Sequence, residues 1–379
     1  VNAEVIIIGA GAIGTACAYF LSRRGIKVLI LERYHLCAGA SGATAAIIFG
    51  GGPSPTSDPL QHLNFESHRL ISDIEEDFEK PIEKISGGSL YAAMDEREAR
   101  EIQLYYEQIR NAGTGCRFFY GSDVQRFEPL LGPHAMAALH EPADFHVNPY
   151  RLCQGYLNAT LQRGGRIVSG VTVRSIQVQN NRIKSVVTDQ GDYNADWVVV
   201  AAGAWTPQIL QSMDIKVPIT PARGQVIVTE ACSLITQRII FFFDHLYIKQ
   251  TASGNFYLGS HSEFVGFKNR ITLDKITDYT QSYTRAVPLF ARLRGLRFFA
   301  GFRPISVDEV PIIGPVPGCP QLIIASGHGR SGMCYSAGTG KIVSELIVDG
   351  ESEIPADRFS IGRFGSENRI DSNGRKPTH

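Results

Sequence analysis

Gly9-Ala10-Gly11-Ala12-Ile13-Gly14 follows the apolar run Val5-Ile6-Ile7-Ile8 and opens an Ala-rich stretch that stops at Gly25. Glycines at this spacing suit a bound pyrophosphate. Gly9 permits a tight turn, Gly11 a close approach of the backbone, and Gly14 close packing of helix on strand. A helix beginning at Ala12 and Ile13 turns free N–H groups and the positive end of its dipole toward the phosphates. The next run, Lys27-Val28-Leu29-Ile30-Leu31, reads as a second strand, and Glu32 closes it. A carboxylate there can accept hydrogen bonds from ribose hydroxyls and would repel a 2′-phosphate, which disfavours NADP. The motif does not separate NAD from FAD.

Gly327-His328-Gly329-Arg330-Ser331-Gly332 fits the same pattern. It too follows a strand-like run, 322–325, and precedes a helix-like stretch, 333–348. No second strand and no acidic strand end follow, so half of a dinucleotide unit is missing. Backbone N–H groups at such a loop still suit an electron-rich edge, such as the pyrimidine side of a flavin. The plain alternative is a helix with a glycine turn before it.

The elements needed to place these loops are legible in outline. Residues 5–8 and 196–202 read as strands buried on both faces. Residues 60–79, 96–112, 149–163 and 274–287 have helical character. Residues 166–178 and 182–188 read as paired strands, and 224–229, 238–249 and 255–259 as antiparallel sheet. The chain has 379 residues, with 37 Lys and Arg against 37 Asp and Glu. This balance gives no general pull toward nucleic acid or an anionic membrane. At this length two domains are the default. The seven cysteines are scattered and form no C-x-x-C pair. That pattern speaks against an intrinsic iron–sulfur or zinc site and against a disulfide framework. No metal is expected. No apolar run reaches the ~20 residues of a membrane span. A cytoplasmic protein is expected, peripheral at a membrane only through a complex.

Further segments carry a resemblance. They are 41–46 (Ser-Gly-Ala-Thr-Ala-Ala), 198–205 (Val-Val-Val-Ala-Ala-Gly-Ala-Trp), Gly301-Phe302-Arg303-Pro304 with Asp308, Pro311, Ile313 and Gly314, and the ending Gly327-His328 … Gly332 … Gly338-Thr339-Gly340. In this order, over roughly residues 3 to 350, the chain resembles the D-amino-acid oxidase/glycine oxidase family of FAD-dependent oxidoreductases. Within the family it is similar to flavoprotein subunits of hydrogen cyanide synthase, D-hydroxyproline dehydrogenase and opine oxidase/dehydrogenase complexes.

The resemblance implies an α/β fold: a Rossmann-like FAD-binding domain from 1–85, 145–220 and 298–365, and an α+β substrate domain with an antiparallel sheet from 86–144 and 221–297. Residues 366–379 are expected to be a flexible tail. The implied cofactor is noncovalent FAD, held by Gly9, Gly11, Ala12, Ile13, Gly14, Glu32, Arg33, Ser41, Ala43, Thr44, Ala45, Ala46, Val173, Ala202, Gly203, Trp205, Arg303, Gly329, Arg330, Ser331, Gly332 and Met333. Arg303 is implied as the clamp for a substrate carboxylate, a task suited to a planar guanidinium with two parallel donors. Its plain alternative is a pair with Asp308. Tyr247 and Tyr257 lie where the family carries tyrosines facing the flavin, though each could be an ordinary core aromatic. His261 stands in Gly259-Ser260-His261-Ser262-Glu263, where relatives show Gly-Ala-Thr, and could shape the pocket or be a plain loop histidine.

The implied reaction is hydride transfer from the carbon beside an amine to flavin N5, giving an imine that hydrolyses. The implied substrate is glycine, a D-amino acid, a proline derivative or an opine. Partner subunits would carry any iron–sulfur centre or second electron carrier, since this chain lacks cluster ligands. A stand-alone oxygen-using oxidase, a nicotinamide dehydrogenase and a noncatalytic flavoprotein subunit are the alternatives.

Overall fold

The computed structural model describes residues 2–50, 58–243, 246–259 and 262–365. The expected tail, Gly51, Gly52 and His261 lie outside the described residues.

Val5, Ile6, Ile7 and Ile8 form the strand Asn2–Ile8 at the centre of an eight-stranded sheet. The strand is parallel to Val28–Glu32 on one side and to Gly191–Val200 on the other. Cys319–Ser326 and Arg166–Ser169 extend the parallel run outward, and Ile312–Val316 closes one edge antiparallel. The side chains alternate. Val5 and Ile7 pack with Cys17, Leu21 and Ile342 on the helical side. Ile6 and Ile8 pack with Val186, Ile209 and Leu210 on the other. Burial on both faces is why this strand reads as an unbroken β-branched run. The helices Ala12–Arg23, Pro149–Gln162 and Ser336–Val348 cover the first face.

A second eight-stranded sheet has the order Gly295–Ser306, Ile219–Ala231, Asn255–Gly259, Tyr247–Gln250, Ile239–Phe242, Ser89–Ala93, Ala137–Glu141, Arg117–Tyr120. Its pairs are antiparallel except Ile239–Phe242 with Ser89–Ala93. Leu90, Ile240 and Ile248 face a core shared with Tyr279, Tyr283 and Phe290. Their strand neighbours Tyr91, Phe241 and Tyr247 line a cavity. The period of two in a strand sorts core from site.

Some expected elements divide differently. The run 166–178 breaks at Gly170, whose φ is +78°. The first half joins the parallel sheet, and Val173–Gln179 pairs antiparallel with Arg182–Thr188. Positions 221 and 298, placed between expected domains, fall inside the paired strands Ile219–Ala231 and Gly295–Ser306. Residues 298–306, including Arg303, thus lie in the second sheet.

Candidate active site

A cavity of about 1040 Å³ runs between the two sheets. One end is built on the loop 9–14. Gly9 has φ +110°, and a Cβ there would stand 2.6 Å from the Ala201 carbonyl oxygen. A Cβ on Gly14 would overlap the Gly9 carbonyl. Gly14 therefore does not line the cavity but lets the helix start against the turn. Ser41 Oγ accepts from the Ala12 N–H at 2.9 Å. Glu32 holds the loop from the neighbouring strand, accepting from Ala10 N–H and Tyr34 N–H, each at 2.8 Å. Each carboxylate oxygen keeps a second lone pair.

Gly9, Gly11, Ala12, Ile13, Glu32, Arg33, Ser41, Ala43, Thr44, Ala45, Val173, Ala202, Gly203 and Trp205 all line this cavity. The Arg33 guanidinium lies 4.7 Å from the Trp205 ring centre, and Trp205 stacks on Phe267 at 5.2 Å. Ala46 does not line it. At φ +52° its side chain turns into the core beside Ala12 and Ile48, while its carbonyl accepts from Val147 N–H.

The other end is built on the loop 327–332 and the strand Gly295–Ser306. Gly329, Arg330, Ser331, Gly332 and Met333 line it. The helix expected from Met333 begins only at Ser336, because 332–335 form turns, with Tyr335 N–H on Ser331 O at 2.9 Å. His328 is buried and donates to or accepts from Thr339 Oγ1 at 3.0 Å. Burial pushes its pKa down to about 3, so it is neutral.

Arg303 lines the same cavity. It does not pair with Asp308, which binds Arg363 instead. Its guanidinium lies across Gly224, where any Cβ would overlap it. A glycine inside a strand marks such a close approach. Arg303 Nη1 donates to Ser262 Oγ at 3.0 Å. Ser262 is placed by its neighbour Glu263, whose backbone pairs with Arg223 and whose carboxylate accepts from Arg223 Nε at 2.9 Å. Burial lowers the Arg303 pKa, the nearby Tyr247 opposes this, and Arg330 lowers it further. Tyr247 also lines the cavity. Burial pushes its pKa up to about 12 although Arg303 pulls it back, so its hydroxyl keeps its proton and can donate.

Tyr257 lies elsewhere. It is paired with Lys249, whereas Tyr247 is paired with Gly259. Two residues along a strand shift it by roughly 7 Å. Its ring packs on Phe299 at 6.0 Å and does not line the cavity. Ser262, Gly224, Tyr91, Phe241 and Glu141 were not foreseen as site residues. Only Gly224, a glycine in a strand-like run, carried a usable signal.

The chemistry of this cavity suits one long ligand with phosphates at a helix start, a ribose at an acidic strand end and an electron-rich ring near Arg330. The family described as FAD dependent oxidoreductase (DAO) matches residues 4–346. The chain belongs to this family of FAD-dependent oxidoreductases. Among similar proteins, the hydrogen cyanide synthase subunit HcnC of Pseudomonas aeruginosa is 27% identical, covering 96% of this chain and 97% of the relative. The glycine oxidase of Geobacillus kaustophilus is 26% identical, covering 96% and 99%. The crystal structure of that oxidase superposes with a TM-score of 0.89 at 24% identity, over 96% of this chain and 99% of the other. L-proline dehydrogenase from P. horikoshii has the same fold, with a TM-score of 0.86 at 22% identity over 98% and 99%. The family membership removes the nicotinamide alternative. Among the described residues no group of three or more His, Cys, Asp or Glu is placed to hold a metal, and no helix is long and apolar enough to cross a membrane.

Proposed function

We propose that the chain oxidises a carbon–nitrogen bond in an amino acid or secondary amine that carries a carboxylate. The observation that carries this reading is Arg303, brought into the cavity from the second sheet and laid flat over Gly224. Two parallel N–H donors fix a carboxylate in charge and in orientation. Tyr247, kept protonated, adds a hydroxyl donor beside it. When bound, FAD supplies a two-electron acceptor for a hydride from the carbon beside the amine. A substrate bound as the free amine needs no protein base, and none is assigned. The imine product hydrolyses to a carbonyl compound and an amine or ammonia.

FAD would be held without a covalent bond: its phosphates at the loop 9–14 and Ser41, Ala43 and Thr44, its ribose at Glu32, its adenine beside Val173, and its pyrimidine edge at Arg330, Ser331, Gly332 and Met333. Cys334 is close in sequence but buried, its thiol pushed up to about 12 by burial. A buried thiol of that kind is a poor nucleophile. The first sheet and its helices would form the FAD unit, and the second sheet the substrate unit. The names of similar proteins, a glycine oxidase and a cyanide synthase subunit, support amine oxidation. The second name, that of a subunit, also supports work beside partner subunits.

Replacing Arg303 by Leu tests the reading. KM for a carboxylate substrate should rise by about 100-fold or more, as loss of a charged hydrogen-bonded pair implies, with FAD still bound. An unchanged KM removes Arg303 from this role.

A further inference from the structure

The cavity has an arm that the proposed function uses only at its first residue, Tyr247. Tyr247, Phe241, Tyr91 and Leu139 stand in register across four neighbouring strands and form its floor. Three strand spacings give this row a length of roughly 14 Å, starting beside Arg303. Phe241 and Tyr91 stack at 5.1 Å, and Tyr247 is 6.4 Å from Phe241. A small zwitterion such as glycine would fill only its first few ångströms.

The far end is acidic and aromatic. Glu141, two residues beyond Leu139, lines the cavity, as do Glu101 and Tyr105 at the exposed rim. Glu101 is partly neutralised by Arg97 at 3.2 Å. Glu141 is half-buried, and burial, then Asp144, holds its carboxyl above the usual range. Tyr91 lines the cavity, and its hydroxyl makes no hydrogen bond with a described residue. Among the described residues the charged basic groups lining the cavity are Arg33, Arg174, Arg303 and Arg330, and none of these is in this arm. Charge therefore reverses along the arm, from a cation at Arg303 to an anion at Glu141. Aromatic faces between them favour a cation or an alkyl chain ending in one.

We infer that the arm takes the far end of a long substrate bearing a positive charge. The substrate class is an amino acid, free or N-substituted, with a basic side chain or substituent. Its carboxylate lies on Arg303, and its ammonium or guanidinium lies over the Phe241 ring or, in the longer N-substituted compounds, over the Tyr91 ring, on the side of Glu141. The inference rests on the proposed function.

The test compares lysine with its neutral isostere norleucine, each as the D-amino acid and as the N-carboxymethyl derivative, by anaerobic bleaching of the flavin. Lysine compounds should exceed norleucine compounds by at least about tenfold in kcat/KM. Glu141→Gln should lower that ratio severalfold through KM, more for the longer N-carboxymethyl pair than for the free amino acids. Glu101→Gln, on the exposed rim, should lower it less, and serves where the first variant does not fold. Norleucine compounds equal to or better than lysine compounds overturn the inference while leaving the proposed function standing, provided that some amino acid bleaches the flavin. If none does, glycine and sarcosine included, both fail together.

Discussion

The loop 9–14 leads from Ile8 into a helix that starts at Ala12, whereas the loop 327–332 leads from Ser326 through turns to a helix that starts at Ser336. Both match the same six-residue glycine pattern. The first is tied to its own sheet and to the segment that follows it: Glu32 reaches back to Ala10 N–H, Gly9 N–H bonds Leu31 O at 2.9 Å, and Ser41 Oγ accepts from Ala12 N–H. The second is tied across to the other sheet. Gly329 N–H bonds Pro304 O at 2.9 Å, one residue after Arg303, and His328 bridges Ile305. One loop is held beside its own strand ends. The other joins the two sheets next to Arg303. A pattern of glycines specifies a tight turn, and the partners of that turn decide its work.

The sharpest way to break this contrast is Gly14→Ala. Its Cβ would overlap the Gly9 carbonyl, and neither backbone segment can yield. The cost should exceed about 3 kcal/mol, at the upper end for overpacking. The purified protein should be colourless or absent. Wild-type flavin absorbance with an unchanged melting temperature would show that the two loops are sterically alike after all.

The next test uses the residue that differs at the second place of the pattern: Ala10 in one loop, His328 in the other. Burial lowers the His328 pKa from 6.5 to about 3. Between these values only the unfolded chain takes up the proton, so stability falls as pH drops from 6.5 toward 3. The slope is up to about 1.4 kcal/mol per pH unit for each such group. His146, lowered to about 2 by burial and by Lys249, adds the same sign. His328→Asn, which can still bond Thr339, should make the slope between pH 6.5 and 5 shallower by about one proton. Denaturant unfolding at several pH values reads it. An identical slope would mean that His328 titrates freely in the folded protein.

Much of the parallel sheet was legible because its strands are buried on both faces and so are apolar throughout, as Val5 to Ile8 and Val198 to Val200 are. The strands Ser89–Ala93 and Ala137–Glu141 were not. Rich in alanine, they lack the β-branched residues that mark a strand. Arg303 was found through its motif, but its partner Ser262 was not. That contact depends on Glu263 being drawn to Arg223 from 40 residues away, which no local pattern encodes. The aromatic row of Tyr247, Phe241 and Tyr91 was hidden for the same reason: it exists only in the register between strands. Gly338 and Gly340, quoted as parts of a functional ending, serve packing, against Leu63 and against Phe20 and Ala16.

The smallest effects come from the second loop's own glycines, and they separate conformation from space. Gly329 has φ +56°, and its Cβ would meet nothing nearer than Ile305 Cδ1 at 3.5 Å. Gly329→Ala therefore has room and pays only for the left-handed backbone, about 1–2 kcal/mol. Gly332 has no positive φ, and its Cβ would touch His328 Cβ at 3.4 Å, an ordinary contact. Gly332→Ala should change stability by less than about 0.5 kcal/mol. Both proteins should purify yellow. Since 329 is bonded to the strand that carries Arg303, its variant should raise KM for a carboxylate substrate more than it weakens FAD. The reverse order, FAD lost before KM moves, would make the second loop a phosphate turn like the first.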